Sequence, residues 1–383
     1  MSLSRRNLLS LLLAGAAASA PMARAATPAR RLRLAASRLG DPGDGWAHFA
    51  EQTGWSIEAL TISDAPEAIR RLLSLEGAGG GLDLLHAVGG LVPLLADNGL
   101  IEPIDVERLS HWRDNDYIRD YFGPDAPGFG FIGAAERIYG VPTLLQGESF
   151  LYLPEATGKL ESYAALFDPQ WRGRVAIQDD MINAGHKTAL YLKQSGLAAI
   201  EKPSDLLPGE IRTVVDFLID QKREGQFRAL WASPEEALKL LVAKEVAVVE
   251  GPEALLAAAR QEGVNAVQAA PMEGYLLWAL TASIVRAPAR EQDSEEALYD
   301  LIDFLLDGWY GARLGLLRGA MTNPRTLRYV EERAEDFSAD EAVRLQALDS
   351  AGRLKFEKGG VWHNRWPTHR KAYEIEWSRF KTA

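Results

Sequence analysis

Apolar and polar positions along the chain follow two alternating rhythms. Leu32 to Ala36 reads as a short strand, and Trp55 to Ile62 alternates apolar with polar residues as a half-buried strand does. Between them Trp46, Phe49 and Ala50 mark one face of a helix that Asp44 opens and Gly54 closes. Ile69, Leu72 and Leu73 predict a helix over 66–76, ended by the glycine cluster Gly77 to Gly81. Leu82-Asp83-Leu84-Leu85 reads as the next strand, and a helix over 92–98 stops at Gly99. The second half keeps the same alternation, with a strand at 174–178, a helix at 187–194 and an amphipathic helix at 211–224. Ser233 caps another helix, with Pro234 in its first turn and Glu236 completing a capping box. Strands at 246–249 and 275–280 and helices ending at Arg260 and Leu306 follow, and the tail over 329–383 is charged and helical. Strands that alternate with helices predict an α/β fold, its parallel sheet covered on both faces.

The pattern before residue 30 is of another kind. Arg5 and Arg6 precede an apolar run from Leu8 to Ala20, and Ala23-Arg24-Ala25 offers a small-x-small cleavage site. Charge, apolar run and cleavage site in that order form an export signal over 1–25, and the paired arginines point to the twin-arginine route. A general secretory signal with two adjacent arginines is the other reading; both lead out of the cytoplasm. The apolar run is too short for a stable membrane anchor. Position 26 is alanine, so there is no lipoprotein cysteine, and the mature protein is expected free in the periplasm.

Composition narrows the function. The chain has 383 residues, enough for two domains, a formal charge of −11 and no cysteine. Removing the signal, with three arginines and no acid, makes it more acidic still. Such a surface repels phosphate backbones and anionic headgroups, which argues against nucleic-acid and membrane-surface partners. Without cysteine there is no disulfide framework and no thiolate nucleophile or ligand. The six histidines show no H-E-x-x-H spacing, there is no Tyr-Tyr pair, and neither a G-x-S-x-G elbow nor a P-loop occurs. Gly77 to Gly81 follows a helix and precedes a strand, the wrong order for phosphate binding. No cofactor, metal or catalytic role is expected.

Seven landmarks stand in order across 49–306. Phe49-Ala50-Glu51-Gln52-Thr53-Gly54 resembles an "F-E-x-x-T-G" helix end. Leu82 to Leu85 followed by Gly99-Leu100-Ile101-Glu102-Pro103 resembles "Y-D-V-V…G-L-L-x-P", and Tyr139-Gly140-Val141-Pro142 is similar to "Y-x-V-P". Leu166-Phe167-Asp168-Pro169 with Arg172-Gly173-Arg174-Val175, then Pro271-Met272-Glu273-Gly274, Trp278 and Ile302 to Leu306, complete the series. Together they resemble the extracellular solute-binding proteins, nearest to the spermidine/putrescine-binding periplasmic branch. The resemblance implies two α/β lobes of the type II-like periplasmic binding fold, with the chain crossing to the second lobe at Tyr139–Pro142. Residues 31–140 would form the first lobe and 141–278 the second, with 279–383 returning to the first. It implies a monomer that closes over a small-molecule ligand and delivers it to an ABC permease in the inner membrane. A two-lobe enzyme and a sensor partner without transport are the alternatives.

The resemblance also assigns a cleft. In the polyamine binders an aromatic box holds the methylene chain and carboxylates hold the ammonium groups. Trp278 matches the box tryptophan and Asp180 one acid, but Leu280 and Asn183 stand where the family has acids. Gln146-Gly147-Glu148-Ser149, just after the crossover, offers Glu148 as a replacement acid and Ser149 as a contact, against a solvated loop. Trp231, at a strand-to-helix junction, serves either stacking or core packing, and Arg38 in the first loop either meets a carboxylate or is a surface base. Glu250 and Glu253 flank Gly251-Pro252 at a strand end on the cleft edge, and read either as site acids or, in preference, as helix-start acids favoured by the dipole. The cargo expected is a small cationic solute, polyamine-like or singly charged, and the tail is expected to pack on the first lobe.

Overall fold

The computed structural model describes residues 30–62, 65–74, 81–123, 125–287, 289–319, 325–363 and 365–383. The export signal and most of the 77–81 glycine turn lie outside the described residues. The strands are β1 (Arg31–Ser37), β2 (Ser56–Ile62), β3 (Leu84–Val88), β4 (Gly133–Ala134), β5 (Arg137–Ile138), β6 (Val141–Tyr152), β7 (Val175–Gln178), β8 (Phe227–Trp231), β9 (Val248–Gly251), β10 (Val267–Gln268), β11 (Tyr275–Ile284) and β12 (Gly360–Trp362). All but β4 and β5 join one sheet in the order β2-β1-β3-β11-β6-β9-β7-β8, with β10 beside β6 and β12 beside β11.

Two lobes share this sheet. In the first, β1, β2 and β3 run parallel, and Leu32, Leu34 and Leu84 pack on the helices Trp46–Thr53 and Gln292–Phe304. Ala35, Leu85 and Ala87 cover the opposite face with Leu72 and Leu95. In the second, β9, β7 and β8 run parallel, with Val175, Ile177 and Val248 against the helices Met181–Gln194 and Pro208–Arg223 on one face. Helices Pro234–Val242 and Glu253–Gln261 cover the other. Among the described residues no helix is long and apolar enough to cross a membrane.

β6 and β11 join the lobes, paired antiparallel, and every residue of both is buried. A strand buried on both faces loses the two-residue alternation that betrays a half-buried one. The stretch Gln146–Ser149, expected as a loop after the crossover, therefore lies within the crossing strand. The tail brings a second correction. The helix Ala339–Lys358 stays on the first lobe, where Phe356 joins its core. The last helix, Arg370–Thr382, instead docks on the second: Tyr373, Trp377 and Phe380 bury among Val214, Leu218 and Ile177. Burying three aromatic rings there outweighs the return expected for the tail.

Candidate functional site

The registers fix where the two lobes point. Val88, the last residue of β3, lies two positions along β11 from Trp278, opposite Leu280. Gly251, the last residue of β9, lies opposite Ser149 on β6. The carboxyl ends of both sets of parallel strands thus converge on Leu144–Ser149 and the facing part of β11, the place where open α/β sheets take ligands.

On one face of that stretch sit Gln146, Glu148, Leu276, Trp278 and Leu280, paired as Gln146 with Trp278 and Glu148 with Leu276. Trp278 Nε1 donates to Glu148 Oε1 at 3.1 Å. Glu250 lies opposite Phe150 on β9, hence on the same face, and accepts from the Gln178 amide at 2.9 Å. The helix Met181–Gln194 closes this face. Asp180 is its N-cap, accepting from the Asn183 amide at 2.7 Å and from Asn183 Nδ2 at 3.2 Å. One turn further on the same stripe, Lys187 places Nζ 3.8 Å from Glu148 Oε2.

All these groups are buried, and burial sets their electrostatics. Desolvation pushes the carboxyls of Glu148, Asp180 and Glu250 above the ordinary carboxylate range, while the Lys187 ammonium opposes it at all three. Several polar atoms have no hydrogen-bond partner: both ends of the Gln146 amide, Asn183 Oδ1 and Lys187 Nζ. Unpaired polar atoms in an interior are costly and mark places where a polar ligand improves matters. Among the described residues no group of three His, Cys, Asp or Glu has the arrangement of a metal site.

Of the eight residues expected from sequence, five gather at this point: Trp278, Asp180, Glu148, Asn183 and Leu280. Leu280 packs against the turn at Gly40, where an added Cβ would collide with the His86 imidazole. The other three stand apart. Ser149 points to the opposite face, its hydroxyl donating to the Ala269 carbonyl at 2.7 Å. Trp231 also falls on that opposite face; its ring packs with Leu151, Val249 and Leu241 in the second-lobe core, which corrects the reading of it as a stacking ring. Arg38 is an exposed base, its side chain 77% accessible, and it pairs with Glu235 across the lobes at 3.5 Å, not with a buried carboxylate partner.

Gln146 and Lys187 belong to the site without standing out in the sequence, and Glu250 reads there in preference as a helix-start acid. Lys187 has a legible signal: Asp180, Asn183 and Lys187 follow helical spacing, but the apolar pattern starts the helix only at Lys187, six residues late. On the other face of the crossing strands Lys355 packs over Gly147 and pairs with Glu253, and its Nζ donates to Gln268 Oε1 at 2.6 Å. This pair lines a groove of about 1070 Å³.

Two lobes on one sheet, joined by long buried strands and converging on a polar cluster, define a periplasmic-type binding protein of the type II-like class. Solved structures share the fold. The spermidine/putrescine ABC transporter substrate-binding protein PotD of Streptococcus pneumoniae superposes with a TM-score of 0.69 at 14% identity, over 92% of this chain and 99% of that one. AgtB of Agrobacterium tumefaciens R10, in complex with agropinic acid, gives 0.61 at 18%, over 92% and 99%. MotA of A. tumefaciens B6, in complex with glucopine, gives 0.64 at 15%, over 92% and 99%. No protein of curated function matches the chain significantly by sequence. The model of the bacterial extracellular solute-binding proteins matches residues 46–308, and the chain belongs to that family. It is a periplasmic, non-catalytic binding protein that serves an ABC importer by carrying a small molecule.

Proposed function

We propose that the protein binds a small cationic solute, polyamine-like or singly charged, and passes it to its own inner-membrane permease. The observation that carries this reading is the convergence of both sets of strand ends on Trp278, Glu148, Asp180 and Glu250. An indole beside buried carboxylates suits an amine with an apolar body, through ring-to-cation attraction and charge-assisted hydrogen bonds. Leu280 supplies apolar wall. Closure of the lobes takes the amine out of water, which strengthens both contacts. The chain acts as a monomer and leaves the cytoplasm folded, by the twin-arginine route.

Thermal unfolding of the mature protein against a panel of monoamines, diamines and amino acids tests the reading. A cationic member should raise the Tm progressively with concentration above its Kd. A panel in which only anionic or neutral solutes raise the Tm would overturn it.

A further inference from the structure

The acid cluster already contains a cation. Lys187 is 0% exposed, its Nζ is 3.8 Å from Glu148 Oε2, and no acceptor hydrogen-bonds it. It cannot turn out to solvent, because it sits in the second turn of a helix whose neighbours Gly185, His186 and Thr188 are buried too. Glu148 comes from the crossing strand, Glu250 from β9 and Asp180 from the cap of the lysine's own helix. On its far side lie His186 and His363, with ring centroids 5.8 Å apart, and burial keeps both imidazoles neutral at physiological pH. Lys355 is committed to Glu253 and Gln268 beyond the crossing strands. Lys355 also lowers the Glu148 carboxyl from beyond the strands, and Lys187 is the positive charge that acts on all three acids.

We infer that Lys187 is a built-in cation standing where a diamine would place one of its two ammonium groups, so that the cleft takes amines of a single positive charge. The inference rests on the reading of the Trp278–Glu148 cluster as the ligand site. Part of the acids' capacity is taken up inside the protein. Glu148 serves Trp278 and faces Lys187, Asp180 serves its helix cap, and Glu250 serves the Gln178 amide. Lys187 balances one of the three charges, and burial, which raises all three carboxyls, favours a proton on another, so one carboxylate charge is left for an incoming ammonium. A second would be buried beside Lys187 with no carboxylate left for it, and in a water-excluded cleft like charges repel strongly. Discrimination thus comes from a repulsive element within the site, not only from a missing contact.

n-Butylamine and putrescine share a four-carbon chain and differ in one ammonium. Calorimetry with both, on wild type, Lys187→Arg and Lys187→Met, isolates the charge. Wild type and Lys187→Arg should bind n-butylamine at least about tenfold more tightly than putrescine. Lys187→Met should reverse that order. A wild type that prefers putrescine overturns the inference, and so does a Lys187→Met protein with the wild-type ratio. If Lys187→Met does not fold, Lys187→Gln takes its place, and the wild-type ranking still decides. Amines that bind with one ratio throughout remove only the role of Lys187. If no amine binds any of the proteins, the ligand site falls as well.

Discussion

Trp278 and Trp377 are both almost completely buried, yet their neighbours give them different work. Trp278 donates to a buried carboxylate at the point where the lobes meet. Trp377 donates to Asp179 at 2.9 Å and packs tilted against Phe380 where the last helix meets the second lobe. Trp278→Ala should abolish most amine binding, since a ring over a desolvated cation contributes about 2 kcal/mol or more. Trp377→Ala should leave affinity close to wild type and lower stability by about 3 kcal/mol, as emptied aromatic sites do. Calorimetry and denaturant titration on the pair separate the roles, and equal affinity of Trp278→Ala and wild type would remove Trp278 from the site.

At the level of the element, Asp180 joins helix formation to the site's charge. Its carboxylate caps Met181–Gln194 and is one of the acids around Lys187. Asparagine caps as well as aspartate, so Asp180→Asn should keep the melting temperature while weakening amine binding. Asp180→Ala should lose both, with about 1 kcal/mol of stability going with the cap. A binding loss in Asp180→Ala that is absent in Asp180→Asn would mean that the cap, not the charge, matters.

The same elements show what is legible in the chain. Strand, helix and cap positions are plain wherever one face meets solvent: β2 and the helix behind Ser233 fall where alternation and the Ser233 cap put them, although the Glu236 carboxylate accepts from the Ala232 amide instead of closing the capping box. β6 is not, because a strand buried on both sides has no alternation, and its polar Gln146 and Glu148 imitate a loop. The proposed cleft rests, in the sequence, on the positions of Trp278 and Asp180. Glu250 stands at a cleft-edge strand end in the sequence, but an acid beside Gly251-Pro252 also has the composition of a helix start, and the register is what turns it inward. Trp231 misleads for the same reason in reverse: one step of strand parity decides which face a ring joins.

For the molecule as a whole, three buried histidines govern acid stability. Burial pushes His86 down to about 4, His186 down to about 3 and His363 well below its ordinary value. The unfolded chain takes up these protons near pH 6.5 and the folded chain does not, so their contribution is full above pH 6.5 and is lost as pH falls towards 4. Each adds a slope of about 1.4 kcal/mol per pH unit in that window. The raised carboxyls of Glu148, Asp180 and Glu250 act in the opposite sense, since the folded chain protonates them first. Chemical denaturation of His363→Gln between pH 6.5 and 4.5 should show a shallower loss than wild type; an unchanged slope would mean that His363 protonates freely in the folded state.

Among the described residues the chain passes between its lobes three times. After β6 and β11, the segment from the helix Ala339–Lys358 through β12 to Arg370–Thr382 makes a third attachment, with β12 laid parallel on β11 at Tyr275–Leu277. A body held by two adjacent ribbons can swing and can also twist about their common axis. A third tether beside them resists torsion and leaves swinging as the easy motion, as a third screw does for a door hinge. Lobe closure of the kind the proposed function requires would then retrace one arc and bring Arg38 back to Glu235 in the same alignment each time.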